Sequence, residues 1–184
     1  MLTLTKIDTK NPNYQFVETL MHSAFPSDER REDDRQRYNV DYNDKMQCLL
    51  IQDGDVNVGF ITLWSLSGIS YVEHFAIADN LRHCGYGTQS LALLTSTFSF
   101  SFSSTLTSTL ILEVELPSTE EAIKRIAFYE KCGFTLSSRP YIQPPYSSDK
   151  QSLPMALMTY GSVDENEIET AVGEMYRYVY GVKG

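Results

Sequence analysis

Apolar positions along this chain change period several times, and each change marks an element. Leu2 to Ile7 alternates and predicts a short first strand. Asn11-Pro12 has the form of an N-cap followed by proline at the first helical position, where the missing N–H costs nothing. Phe16, Val17, Leu20, Ala24 and Phe25 then recur on one helical face. Ser27 is expected to cap a second segment, with Asp28 and Glu29 near its positive end. The run from Asp28 to Arg37 mixes both signs and reads as a solvated helix face rather than a binding patch. Met46 to Gln52 and Val56 to Trp64 are β-rich runs around Asp53-Gly54-Asp55, a hairpin signal. Ser67-Gly68 turns the chain into a third long strand, Ile69 to Ile77.

The helical period then returns, with Leu91, Leu94 and Phe98 on one face behind a glycine-containing turn. Thr95 to Thr109, rich in Ser, Thr and Phe, reads as the frayed end of that helix plus a loop. Leu110 to Leu116 is a strand stopped by Pro117. Ser118-Thr119-Glu120-Glu121 matches a capping box and predicts a helix to Lys131, ended by Gly133. Phe134 to Ser138 and Leu153 to Tyr160 are the last strands, separated by a Pro/Tyr-rich insertion. Asp164 and Glu167 repeat the capping pattern before Ile168, Val172, Met175 and Val179. This order predicts an α/β (α+β) fold in a single domain over residues 1–184, with 161–184 as a C-terminal helical extension. Its sheet is mixed, mostly antiparallel, of about seven strands flanked by helices.

Composition narrows the function. With 42% hydrophobic and 21% charged residues over 184 positions, the chain suits one globular core and excludes collagen and coiled coil. A formal charge of -9 argues against nucleic acid as a partner and suits a cationic substrate better than an anionic one. No apolar run approaches the roughly 20 residues of a membrane span, and Met1 to Lys6 has no leader pattern. Cys48, Cys84 and Cys132 are widely spaced and lack a partner histidine, so neither a disulfide framework nor a metal site is expected. A cytoplasmic protein is the expectation.

The segment Arg82-His83-Cys84-Gly85-Tyr86-Gly87-Thr88 lies between a strand and a helix. Two glycines one residue apart let the backbone bend tightly and approach a ligand. Successive N–H groups of such a turn, with the free N–H groups of a helix start, can cradle a phosphate. A plain strand-to-helix turn explains the glycines equally well. A Walker loop is excluded because Gly-Lys-Ser/Thr is absent, and a dinucleotide fold would place the turn after the first strand of a parallel unit.

This turn resembles the acetyl-CoA signature of the GNAT superfamily of N-acetyltransferases, Gln/Arg-x-x-Gly-x-Gly/Ala, at every specified position. Glu73 to Ile77 resembles the strand before it, and Ala127-Phe128-Tyr129-Glu130-Lys131-Cys132-Gly133-Phe134 resembles a second family segment. The element order is similar over nearly the whole chain. Many members carry Asn where this chain has Ala122, and Ala where it has Arg125.

The resemblance implies transfer of an acetyl group from acetyl-CoA to a primary amine of a small molecule or peptide, by direct attack on the thioester. It implies that the fourth and fifth strands splay, that main-chain groups of Phe75, Ala76 and Ile77 hold the thioester and pantetheine, and that Arg82 to Thr88 hold the pyrophosphate. Tyr129 matches the tyrosine near the sulfur and is the expected acid. Glu73 is the expected base, with Glu113 and Glu115 as rivals. In a regular strand Glu73 shares a face with Tyr71 and Phe75, and His74 points away, unless a bulge intervenes. Tyr141 to Tyr146 is expected to wall the acceptor site, and the helix bearing Tyr176, Tyr178 and Tyr180 to dock on its own domain or join a homodimer. The rival function is a catalytically silent acetyl-CoA-binding sensing module of the same fold.

Overall fold

The structure is a computed structural model that describes residues 1–100 and 109–182. Most of the predicted loop after Thr95 lies outside the described residues. Among the described residues, eight strands form one sheet: β1 (Leu2–Ile7), β2 (Met46–Asp53), β3 (Val56–Ser65), β4 (Ser70–Ile77), β5 (Leu110–Glu115), β6 (Phe134–Leu136), β7 (Tyr141–Gln143) and β8 (Leu153–Tyr160). Their order is β1-β2-β3-β4-β5-β8-β6, with β7 also paired to β8. All pairings are antiparallel except β4 with β5. β7 is the strand the expected seven did not include; it forms within the Pro/Tyr-rich insertion.

Helices α1 (Tyr14–Ala24), α2 (Asp33–Tyr42) and α5 (Glu165–Glu174) cover one face of the sheet. There Val17, Leu20, Val40, Ile168 and Ala171 pack on Phe60, Trp64 and Tyr71. Helices α3 (Tyr86–Phe100) and α4 (Glu120–Lys131) cover the other face, where Leu91, Leu94 and Ile126 meet Ile61, Leu63 and Leu112. Central strand β3 is buried on both faces, which is why its apolar run is nearly unbroken.

The local stop and start signals are realised with small shifts. The Asn11 side chain accepts from the Asn13 N–H at 2.9 Å, so an Asx turn forms first and α1 begins at Tyr14. Ser27 opens only a short 3-10 turn; the chain then extends through Arg30 and Glu32, and α2 starts at Asp33. Thr119, one residue after the expected Ser118, caps α4 by accepting from the Ala122 N–H at 3.1 Å. Gly133 ends that helix at φ +91°. The Asp164–Glu167 capping box is complete. After Glu174 the helix widens into a π-helical turn, Met175–Val179, closed by the Tyr180 N–H on the Met175 carbonyl at 3.2 Å.

Candidate active site

Strands β4 and β5 pair only where Ser70–Val72 meets Leu110–Leu112. β4 continues to Ile77 and β5 to Glu115, so the two diverge after Val72 and Leu112. At the same point β4 carries a bulge: Thr62 of β3 faces His74 and Leu63 faces Val72, leaving Glu73 as the extra residue. One inserted residue reverses the alternation of faces. Glu73 and His74 therefore both lie on the α1/α5 side, while Phe75 and Ile77 pack on the α3/α4 side. The regular-strand expectation is corrected twice: Glu73 shares its face with Tyr71 but not with Phe75, and His74 does not point away. His74 is enclosed, edge-on to Phe25 at 4.7 Å. Its Nε2 donates to the Glu29 carbonyl at 3.0 Å, leaving Nδ1 3.1 Å from the Thr62 hydroxyl.

The Glu73 side chain has no solvent exposure, yet the residue as a whole is only partly buried, because its main chain borders the divergence. Arg31 Nη2 donates to Oε1 at 2.5 Å and Nη1 to Oε2 at 3.1 Å. Trp64 Nε1 donates to Oε2 at 2.9 Å and the Tyr146 hydroxyl to Oε1 at 3.0 Å. Burial disfavours the carboxylate, but Arg31 and His74 outweigh it, and the Glu73 pKa falls well below the ordinary glutamate value. Arg31 is itself saturated, with Nη1 2.7 Å from Gln36 Oε1, Nη2 3.2 Å from the Val179 carbonyl, and its plane over the rings of Trp64 and Tyr146.

Glu113 is the first residue of β5 beyond its pairing with β4. Tyr71 donates to its Oε2 at 2.7 Å, Tyr180 reaches both oxygens at 2.9 and 2.7 Å, and Tyr141 donates to Oε1. Burial raises the Glu113 pKa, hydrogen bonds from Tyr141, Tyr180 and Tyr71 pull it down, and Glu73 pushes it up; the net shift is upward. A cavity of about 490 Å³ lies between α2 and the C-terminal segment, with Arg31, Asp34, Tyr38, Tyr146, Tyr178 and Tyr180 in its lining, and it reaches this cluster through Tyr180. Glu115, the other rival, is a half-exposed partner of Arg125 at 2.7 Å. Arg125 is thereby held at the rim, and Ala122 is buried in the core.

Beyond β4, the chain makes a 3-10 turn, Asp79–Leu81, and enters α3 at Tyr86. His83 at φ +63° and Gly85 at φ +84° are both left-handed, curling the main chain into a concave nest. Among the described residues, the main-chain N–H groups from His83 to Thr88 donate to no protein acceptor; the first bond of α3 is Gln89 N–H to the Gly85 carbonyl at 3.1 Å. These donors match an anionic pyrophosphate. Arg82 folds across the turn, to Asp79 at 2.7 Å and the Ile77 carbonyl at 3.2 Å. Cys84 is exposed. Tyr86 anchors the helix start to Asp53 at 3.1 Å. At Gly87 a Cβ would lie 3.1 Å from the Phe128 ring, so this glycine also lets α4 approach α3.

Tyr129 lies on the α3/α4 side, between Phe128 at 5.2 Å and Phe134 at 5.5 Å. Burial pushes its pKa up to about 12. Tyr129 and the two carboxylates thus stand on opposite sides of the diverging strands. Arg31, Trp64 and Tyr71 were not among the sequence candidates. Arg31 looks like one of several surface charges, and nothing local marks it as buried.

The sequence profile of the Acetyltransferase (GNAT) family matches residues 14–134. A protein of Bacteroides thetaiotaomicron assigned to the GNAT acetyltransferase family is 38% identical, with 98% of this chain and 99% of that chain covered at a TM-score of 0.90. The Escherichia coli ribosomal-protein-S18-alanine N-acetyltransferase aligns at 19% identity over 90% of this chain and 98% of its own, TM-score 0.60. Arabidopsis thaliana Naa50, solved with a CoA–peptide bisubstrate analogue, aligns at 19% identity over 88% and 99%, TM-score 0.60. The last two show likeness of fold alone. No functionally curated protein matches the chain by sequence.

Proposed function

This chain belongs to the GNAT family of acetyltransferases, and within it we propose that it moves an acetyl group from acetyl-CoA to a primary amine of a small molecule or peptide. One observation carries the reading: among the described residues, unbonded N–H groups at 83–88 follow, after one 3-10 turn, a strand whose inner edge is unpaired beyond Val72. The turn offers donors to a pyrophosphate, and the free edge at Phe75, Ala76 and Ile77 offers main-chain groups to an extended amide-bearing arm. Naa50 was solved with such a donor joined to a peptide, which supports a CoA donor and leaves peptide amines among the acceptors to test.

In this reading the amine nitrogen attacks the thioester carbon between β4 and β5. Main-chain N–H groups of β4 stabilise the oxyanion, and the Tyr129 phenol protonates the departing thiolate. Glu73, expected from sequence as the base, is already committed to Arg31, Trp64 and Tyr146; we assign it to holding the divergence open and in register. Expulsion of water by the tyrosine cluster strengthens these interactions.

The test is thiol release from acetyl-CoA with spermidine, lysine, an aminosugar and a short peptide as acceptors. Release above the hydrolysis blank with at least one amine is expected. No release from any of them, with acetyl-CoA still raising the melting temperature, would favour the sensing module. No thermal shift with acetyl-CoA would remove both readings.

A further inference from the structure

Two carboxylates emerge at the divergence on the same face, and their surroundings differ. Glu73 is neutralised by Arg31. Glu113 is ion-paired to no Lys, Arg or His among the described residues. The titratable groups facing it are Tyr71 and Glu73 from β4, Tyr141 from β7, Tyr146 from the insertion, and Tyr176 and Tyr180 from the C-terminal segment. Among the described residues, only Tyr180 both contacts the two Glu113 oxygens and lines the cavity. Its hydroxyl also lies 3.1 Å from that of Tyr71, and its ring packs on Tyr146 at 4.9 Å. The π-helical turn sets this placement, because one extra residue in a turn rotates the residues after it by about 100°.

We propose that Tyr180 is a catalytic residue that relays the acceptor's proton to Glu113, so that the C-terminal segment, outside the family-matched region, completes the active site. This rests on the acetyl-transfer reading above. As the C–N bond forms, a proton leaves the nitrogen for the Tyr180 oxygen while the Tyr180 proton passes to Glu113. The C–S bond then breaks, and the sulfur takes a proton from Tyr129. Glu113 returns its proton through solvent to the Tyr129 phenolate, restoring the site. A buried carboxylate raised toward neutrality suits this task better than one held strongly ionised.

Tyr180→Phe and Glu113→Gln are compared with wild type by pH–rate profile, using whichever of spermidine, lysine, aminosugar or peptide turns over fastest. Glu113→Gln should lower kcat/KM by about 100-fold and abolish the acid limb. Tyr180→Phe should lower it by about 10-fold and move that limb to higher pH, since the lost hydrogen bond favours the carboxylate. Acetyl-CoA affinity should be unchanged in both. Should Glu113→Gln fail to fold, carboxyl-carbon NMR titration of wild type and Tyr180→Phe still decides: Glu113 must titrate above 4.5 and rise in the variant. Wild-type turnover and profile in both variants, or a Glu113 titration unmoved by Tyr180→Phe, overturns the relay. If wild type releases no thiol with any amine while binding acetyl-CoA, the acetyl-transfer reading fails and the relay falls with it.

Discussion

Arg31, on the extended entry to α2, and Glu73, in the β4 bulge, form a two-pronged ion pair at 2.5 and 3.1 Å with both side chains almost wholly enclosed. Removing one partner from such a pair leaves the other charge buried and uncompensated, at a cost of about 3–5 kcal/mol. Arg31→Met should therefore destabilise by that amount in urea titration, and adding Glu73→Gln should recover much of it. Trp64, the chain's single tryptophan, donates to Glu73 and makes its fluorescence a local reporter. The pH sign comes from the lowered pKa of Glu73. Its contribution is fully present above the ordinary value of 4.5 and is lost as pH falls below it toward the folded value. The stability gap between wild type and Glu73→Gln should shrink only in that acid range; a gap that shrinks on raising the pH would contradict the pairing.

Tyr129→Phe keeps the ring between Phe128 and Phe134 and deletes only the hydroxyl. Turnover should drop about 100-fold while acetyl-CoA affinity by calorimetry stays the same. Unchanged turnover would leave the tyrosine a packing residue.

At Gly85 the obstacle to a side chain is conformation, not space, since a Cβ would meet only the Gln89 amide at 3.3 Å. A left-handed alanine costs roughly 1–2 kcal/mol, so Gly85→Ala should raise the Kd for CoA about 10-fold. Gly85→Asn, which tolerates this backbone region, should bind more tightly than the alanine variant. The reverse order would argue against the nest.

Gly59 presents the opposite case. A Cβ there would lie 2.2 Å from the Ala76 carbonyl oxygen, which is main chain and cannot swing aside. Gly59→Ala should lower stability by about 1–3 kcal/mol and weaken acetyl-CoA binding, because Ala76 belongs to the proposed donor strand. An unaltered melting temperature would mean that β3 and β4 separate freely.

The features legible in the sequence were local ones. The Asp164–Glu167 box, the Gly133 stop and the β2–β4 meander depend on neighbours within a few residues, and they form where expected. The left-handed turn proposed to hold the pyrophosphate was legible because its signature is contiguous. The acceptor side was not. The bulge at Glu73 is a mismatch between two strands and leaves no trace in β4 alone. Arg31 lies in a run of mixed charge whose other charged members stay nearer solvent, and its burial depends on Glu73 and Val179 far along the chain. Tyr180 stood out only as one tyrosine among several until the π-helical turn gave it a direction.

The pairing that stops at Val72 and Leu112 divides the sheet into two blocks, β1–β4 and β5 with β6–β8. A donor arm lying along the free edge of β4 would act as the rungs between them, so loading the donor and stiffening the protein would be one event. The acceptor would then meet a surface shaped by whether the donor is already in place. Ordered binding, donor before acceptor, would then follow from where two strands part.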